Sequence, residues 1–173
     1  MRTLHEAVDR CRTLVVEGPD GIARSGLLAE LVRNGFTIRR SRDQLHHVDP
    51  TRPYRELLAA PGRLAVDGGI VHELVYGPLR RGHSRVTWIQ ALDFAESVAE
   101  RDGALFHLTD SGRRPDTEVA DAYRRVFRTL SQHVPVVTLD IGGPGPPIRA
   151  PSAPDLQLGR CKGQLTVGWK QTA

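Results

Sequence analysis

Apolar residues follow two alternating patterns along the first 141 residues of the chain. Short apolar runs at residues 14–16, 64–66 and 104–108, of which only the last contains a polar residue, His107, have the length of strands that are buried on both faces. Between these runs, apolar residues recur every three or four positions, as they do on one face of a helix. Strands that alternate with helices predict an α/β fold, in which right-handed crossovers build a parallel sheet between two layers of helices.

The predicted elements keep this alternation throughout. Five strands are predicted at residues 14–16, 36–39, 64–66, 104–108 and 134–139. Helices are predicted at residues 3–11, from 25 to the Asn34-Gly35 stop, at 53–60, from Gly68-Gly69 to Gly77-Pro78, at 88–101 and at 116–133. Residues 80–85 are predicted to form a basic loop.

The alternation ends near residue 141, which predicts one domain over residues 1–141 and a tail over residues 142–173. The tail is rich in proline and glycine up to Pro154, a composition typical of an extended linker. Residues 164–169 have the composition of one short added strand.

Composition limits the class of protein more than its function. A chain of 173 residues with 39% hydrophobic and 25% charged residues is typical of a soluble globular domain. The formal charge of +4 is carried almost wholly by arginine, which could favour phosphate-bearing ligands, although genome composition explains it as well. No apolar run approaches the length of a membrane span, and the N-terminus lacks a signal-peptide core. We therefore expect a cytoplasmic protein without a membrane partner.

A glycine-rich turn joins the first strand to the helix that follows it. The phosphate-loop pattern G-x-x-x-x-G-K-[ST] aligns here with Gly18, Ala23, Arg24 and Ser25. Such a loop wraps an anion with backbone amides at a helix N-terminus, while the basic side chain neutralises phosphates and the hydroxyl holds Mg²⁺. Ala23 replaces a glycine and Arg24 a lysine, so a strand–turn–helix corner without a ligand stays open as an alternative.

Three candidate segments fall at the carboxyl ends of predicted strands. They are residues 18–25, Asp67 and residues 109–114. In parallel α/β sheets the ligand binds at this edge, so the convergence favours a site there. A helix cap is the alternative role for Asp67.

Two segments resemble the thymidylate kinase-like family. Residues 16–21, Val-Glu-Gly-Pro-Asp-Gly, resemble its E-G-x-D-G opening, and residues 67–78 resemble its D-R-x-x-x-S-E-x-V-Y-G segment. The likeness covers roughly residues 14–141. It implies a three-layer P-loop NTPase-like fold with a parallel five-stranded sheet. It also implies phosphoryl transfer from Mg·ATP to a nucleoside monophosphate or a related nucleoside.

The resemblance also implies roles for individual residues. Those expected to wrap the ATP phosphates are Gly18, Asp20, Gly21, Ala23, Arg24, Ser25 and Gly26. Those expected to be catalytic are Arg24, Asp67, Arg113 and Arg114, of which the last two stand in for lid arginines. The Mg²⁺ ligands would be Ser25 and Asp67. Those expected to bind the acceptor are Arg39, Arg42, Glu73, Tyr76 and Arg81.

The departures from the family pattern support two further hypotheses. Gly68 replaces an arginine, His72 replaces a serine, and few residues remain for a lid. A pseudokinase that binds a nucleotide or a partner is therefore the main alternative. A kinase of modified bases in DNA, whose basic loop contacts phosphates, is weaker, and nucleic acid is not a favoured partner. Since members of the family often dimerise, a homodimer is a further expectation from the resemblance.

Overall fold

The computed structural model describes residues 4–40, 51–112 and 116–142. In these residues eleven elements follow one another along the chain. They are α1 (Leu4–Arg10), β1 (Thr13–Glu17), α2 (Ser25–Arg33), β2 (Thr37–Arg40), α3 (Arg52–Leu58), β3 (Leu64–Asp67), α4 (Ile70–Arg81), α5 (Trp88–Glu100), β4 (Gly103–Thr109), α6 (Thr117–Leu130) and β5 (Val136–Asp140).

The strands of the described residues form one sheet in the order β2-β3-β1-β4-β5, and every neighbouring pair is parallel. Side chains alternate between its faces, so Val15 packs with α3 to α6, whereas Leu14 and Val16 pack with α1 and α2. The predicted α/β architecture, a five-stranded parallel sheet flanked by helices, is confirmed.

Burial differs between the central and the edge strands. All of β1 is buried, and β3 and β4 are buried except at their last residues. In contrast, β2 is largely exposed and β5 only partly buried. The expectation of burial on both faces is therefore right for the three central strands and wrong for the edges, which have a neighbour on one side only.

Two helix ends differ from the prediction. The α4 helix does not stop at Gly77-Pro78 but continues to Arg81, and Gly82 ends it with a φ of +76°. A Cβ at Gly77 would lie 2.9 Å from Cα of Ser84, so this glycine allows close packing and is not a helix stop. Arg80 and Arg81 consequently belong to the helix and not to a loop. The last helix, α6, ends at Leu130 and not at His133.

Several predictions fall on residues that the structure does not describe. Arg42, Arg113, Arg114 and the short strand at residues 164–169 lie outside the described residues. Among the described helices, none combines the length and the apolar character needed to cross a membrane.

Candidate functional site

A cleft of about 610 Å³ opens at the carboxyl ends of β1, β2 and β3, against the side of α4. Its basic side chains are Arg24, Arg40, Arg80, Arg81 and Arg85. Its acidic side chains are Glu17, Asp20, Asp67 and Glu73. The pairing of β1 with β3, in which Val16 lies beside Asp67, brings the two resembling segments together at this edge of the sheet.

Asp67 lies between two guanidinium groups at the floor of the cleft. Nη1 of Arg24 donates to Oδ1 of Asp67 at 3.0 Å, and Nε of Arg40 pairs with Oδ2 at 3.2 Å. Arg24 also reaches the carbonyl oxygen of Gly18 at 3.4 Å through Nη2. The predicted basic residue of the loop and the predicted acidic residue of the next strand are thus in direct contact.

The loop between β1 and α2 is fixed by packing and by hydrogen bonds. The amide of Ile22 donates to the carbonyl of Pro19 at 3.2 Å, and Gly21 provides the positive φ of +75° that this turn requires. Gly18 lies against β4, because a Cβ there would be 2.9 Å from Cβ of Leu108. Ala23 needs no positive φ, since Asp102 is the one non-glycine residue with a positive φ in the described part of the chain.

The α2 helix begins at Ser25, directly after Arg24. The first amides of any helix have no carbonyl partner within that helix, and its dipole favours an anion there. Arg24, at the N-cap, makes no side-chain cap to these amides. The first turn of α2 and the charge of Arg24 therefore lie next to each other at this edge of the sheet, whereas the loop amides of Asp20 and Ile22 are hydrogen-bonded within the protein.

Asp20, at the tip of the loop, is bound to three consecutive turns of α4. Its carboxylate contacts Nε2 of His72 at 2.9 Å and Nη2 of Arg80 at 2.6 Å, and its amide donates to the hydroxyl of Tyr76 at 2.9 Å. Burial alone would raise the pKa of Asp20, but the bonds from His72 and Arg80 outweigh it and lower that pKa. The carboxylate thus stays ionised and holds the loop against α4.

Glu73, in the first turn of α4, stabilises the C-terminal end of the same helix. Its Oε1 accepts hydrogen bonds from the amide of Arg85, at 2.8 Å, and from the side chain of Arg81. Glu73 and Arg81 line the cleft and Tyr76 lies beside it, and each of the three is engaged with other residues of the protein.

Glu17 lines the cleft and was not among the predicted site residues. Burial raises its pKa to about 8, against the opposing effects of the hydrogen bond from the amide of Val71 and of the charge of Arg24. The Val71 amide donates to its Oε1 at 3.2 Å, so Glu17 caps the N-terminus of α4. A polar residue ending a fully buried strand is the signal in the sequence that could have identified it.

Arg40, and not the predicted Arg39, lines the cleft and contacts Asp67. Arg40 is the direct neighbour of Asp67 in the pairing of β2 with β3. The alternation of side chains could have distinguished the two arginines, because Arg40 shares a face with the inward-facing Ile38.

The cleft carries more positive than negative charge at neutral pH. Five arginines and four carboxyl groups line it, and burial raises the pKa of one of these carboxyl groups, that of Glu17, to about 8. An excess of positive charge in a concave site attracts an anionic ligand.

The Mg²⁺ expected from the resemblance does not fit the residues as they are arranged. Each oxygen of Asp67 lies beside one guanidinium group, so a metal ion at this carboxylate would lie close to two positive charges. In the described part of the chain, no group of three or more acidic, histidine or cysteine side chains could hold a metal ion.

Comparison of the chain with protein-family models, with curated proteins and with solved structures finds no match. The resemblance to thymidylate kinases and the P-loop identity of the fold therefore remain predictions.

Proposed function

We propose that the protein is a P-loop, thymidylate kinase-like phosphotransferase, which binds ATP in this cleft and transfers a phosphoryl group to a nucleoside monophosphate or a related nucleoside. The observation that carries the proposal is the contact between Arg24 and Asp67. It joins the glycine-rich loop to the end of the neighbouring strand, 43 residues further along the chain. The parallel sheet, the position of Arg24 at the N-terminus of α2 and the positive cleft all support it.

The residues of the cleft would act by position and charge. Phosphoryl transfer passes through a loose transition state with charge spread over the phosphoryl oxygens, so converging arginines are what it needs most. Arg24, Arg40 and Arg80 lie in the same cleft and provide such charge. Asp67 orients Arg24, and Asp20 holds the loop against α4.

A second candidate function is nucleotide binding without transfer. It is favoured by the engagement of both oxygens of Asp67 with arginines. Gly68 also favours this second function. Its φ of +79° would strain an arginine, the residue that the family has at this position, by about 1–3 kcal/mol, so the backbone here is unsuited to that arginine.

The test follows transfer of labelled phosphate from ATP, with Mg²⁺ present, to a panel of deoxynucleoside monophosphates and nucleosides. We expect Asp67→Asn to reduce the turnover rate by about 100-fold, because Arg24 loses its orienting partner. Nucleotide affinity should hold or rise, because a negative charge has left the cleft. Asp93→Asn, at an exposed position of α5, is the matched control.

The outcomes separate the two candidates. Nucleotide binding without transfer to any acceptor would replace the kinase with the binding module. An absence of binding would overturn both.

A further inference from the structure

We infer that the cleft binds phosphate through the guanidinium groups of Arg24 and Arg40 directly, without a divalent cation bridging the ligand to Asp67. This inference rests on the proposed function, because it assumes that a phosphate-bearing ligand occupies the cleft. It defines how that ligand's charge is neutralised, and it departs from the Mg²⁺ requirement that the resemblance implies.

The first step of the argument is the occupancy of Asp67. Its side chain is only 12% exposed. Its Oδ1 accepts a hydrogen bond from Arg24 at 3.0 Å, and its Oδ2 forms an ion pair with Nε of Arg40 at 3.2 Å. A cation that used the remaining lone pairs of this carboxylate would lie against both guanidinium groups and would be repelled by them.

The second step is the permanence of the two charges. The arginine side chain carries a fixed positive charge in proteins, and Arg24 and Arg40 place two such charges beside Asp67. A divalent cation at Asp67 would therefore lie beside two fixed positive charges.

The third step concerns other carboxylates at the floor of the cleft. Glu17, on the adjacent strand, is protonated at neutral pH because burial raises its pKa to about 8. Asp20 is bound by His72 and Arg80. Mg²⁺ needs ionised oxygen ligands in nearly octahedral geometry, and neither residue offers it a free carboxylate.

The fourth step is what the arginines offer a ligand. A guanidinium group has five N–H donors in a planar fork that matches two phosphate oxygens. Arg40 contacts Asp67 through Nε and leaves 79% of its side chain exposed. Its terminal nitrogens can therefore bind a phosphate while the contact with Asp67 persists.

The test measures binding of inorganic pyrophosphate to the full chain by titration calorimetry, once with EDTA and once with excess Mg²⁺. We expect the dissociation constant for pyrophosphate in EDTA to be lower than the value in Mg²⁺ or to exceed it by no more than about threefold. We also expect no heat of binding for Mg²⁺ alone. Arg40→Gln should weaken pyrophosphate binding in EDTA by about tenfold, because one charged bidentate donor contributes about 1.4 kcal/mol or more.

Arg33→Gln, at the far end of α2, is the control and should bind like the wild type. Arg40 is largely exposed on an edge strand, so its replacement should not prevent folding, which a thermal unfolding curve checks. Arg24→Lys, a second variant, should lose affinity in EDTA because an ammonium cannot reproduce the planar fork.

Pyrophosphate binding that becomes ten times tighter with Mg²⁺, or binding of Mg²⁺ alone that Asp67→Asn abolishes, would overturn the inference and leave the proposed function standing. Unchanged affinity in Arg40→Gln and Arg24→Lys would also overturn it. If neither pyrophosphate nor ATP binds under either condition, the proposed function itself fails, and the inference fails with it.

Discussion

The carboxyl group of Glu17 has an unusual position for an ionisable group. The residue is 1% exposed at the end of the central strand, and its Oε1 accepts from the amide of Val71 at the start of α4. A Cβ at Gly69 would lie 2.6 Å from the same oxygen, so the backbone of the β3–α4 connection closes over this group. Glu17 thereby fixes the N-terminus of the helix that carries His72, Tyr76 and Arg80.

Glu17→Gln should make the protein more stable at neutral and alkaline pH. Burial raises the pKa of Glu17 from 4.5 to about 8, so the unfolded chain releases this proton at a lower pH than the folded protein does. The resulting stability is fully present below about pH 4.5 and is lost as the pH rises to about 8. Glutamine keeps the acceptor for the Val71 amide but cannot ionise, so it does not suffer this loss.

Urea unfolding at several pH values measures the effect. The difference in free energy of unfolding between the variant and the wild type should be near zero below about pH 4.5. It should grow to a few kcal/mol in favour of the variant at about pH 8, since one pKa unit corresponds to about 1.4 kcal/mol. Glu100→Gln, at an exposed position ending α5, should show no such trend. A constant difference across the pH range would contradict the assignment of a protonated Glu17.

Among the elements, the corner where β1 leads into α2 has two glycines with opposite requirements, Gly18 in the loop and Gly26 in the helix. Gly18 lies against the backbone and Cβ of Leu108 in β4, and its carbonyl accepts from the hydroxyl of Tyr123 at 2.9 Å. Gly26, in the first turn of α2, has no atom within 4 Å of the position a Cβ would take. A methyl group should therefore be harmful at one position and harmless at the other.

Gly18→Ala should lower the free energy of unfolding by about 1–3 kcal/mol, because the β-sheet backbone opposite it cannot move aside. Gly26→Ala should change it little or raise it by up to about 1 kcal/mol, because alanine favours the helix. Urea unfolding of the two variants makes the comparison, and each serves as the control for the other. Equal stability in both would mean that the loop does not pack against β4 as described.

The elements also show how much of the fold could be predicted from the sequence. The central strands are predictable because they are mostly apolar runs without polar alternation, and the β1–α2 corner is predictable because glycines are followed by a helical pattern. The end of α4 is not, because Gly77 serves a tertiary contact with Ser84 that no local pattern reveals. The alternation of side chains could have favoured Arg40 over Arg39, but its contact with Asp67 depends on the pairing of β2 with β3, which the sequence does not reveal. Glu17 is missed because its burial depends on how α4 begins.

At the scale of the whole molecule, the sheet order determines which charges meet. The β1 strand lies between β3 and β4, and β2 lies on the far side of β3. The carboxyl ends of β1, β3 and β2 therefore bring Arg24, Asp67 and Arg40 to one edge, although they are distant in sequence. The arginine side chains at this edge repel one another, and an anion that binds between them should therefore stabilise the entire fold.

Thermal unfolding should therefore respond to phosphate and not to the nucleoside alone. A ligand at about 100 times its dissociation constant adds about 2.7 kcal/mol to the stability of the folded state, which corresponds to a rise of roughly 5–10 °C for a domain of this size. We expect ATP and pyrophosphate to produce this rise and adenosine to produce almost none. At equal ligand concentration, added salt should reduce the rise, because it screens the attraction between arginines and phosphate. An equal rise with adenosine would show that binding is driven by the base and not by the charges at this edge of the sheet.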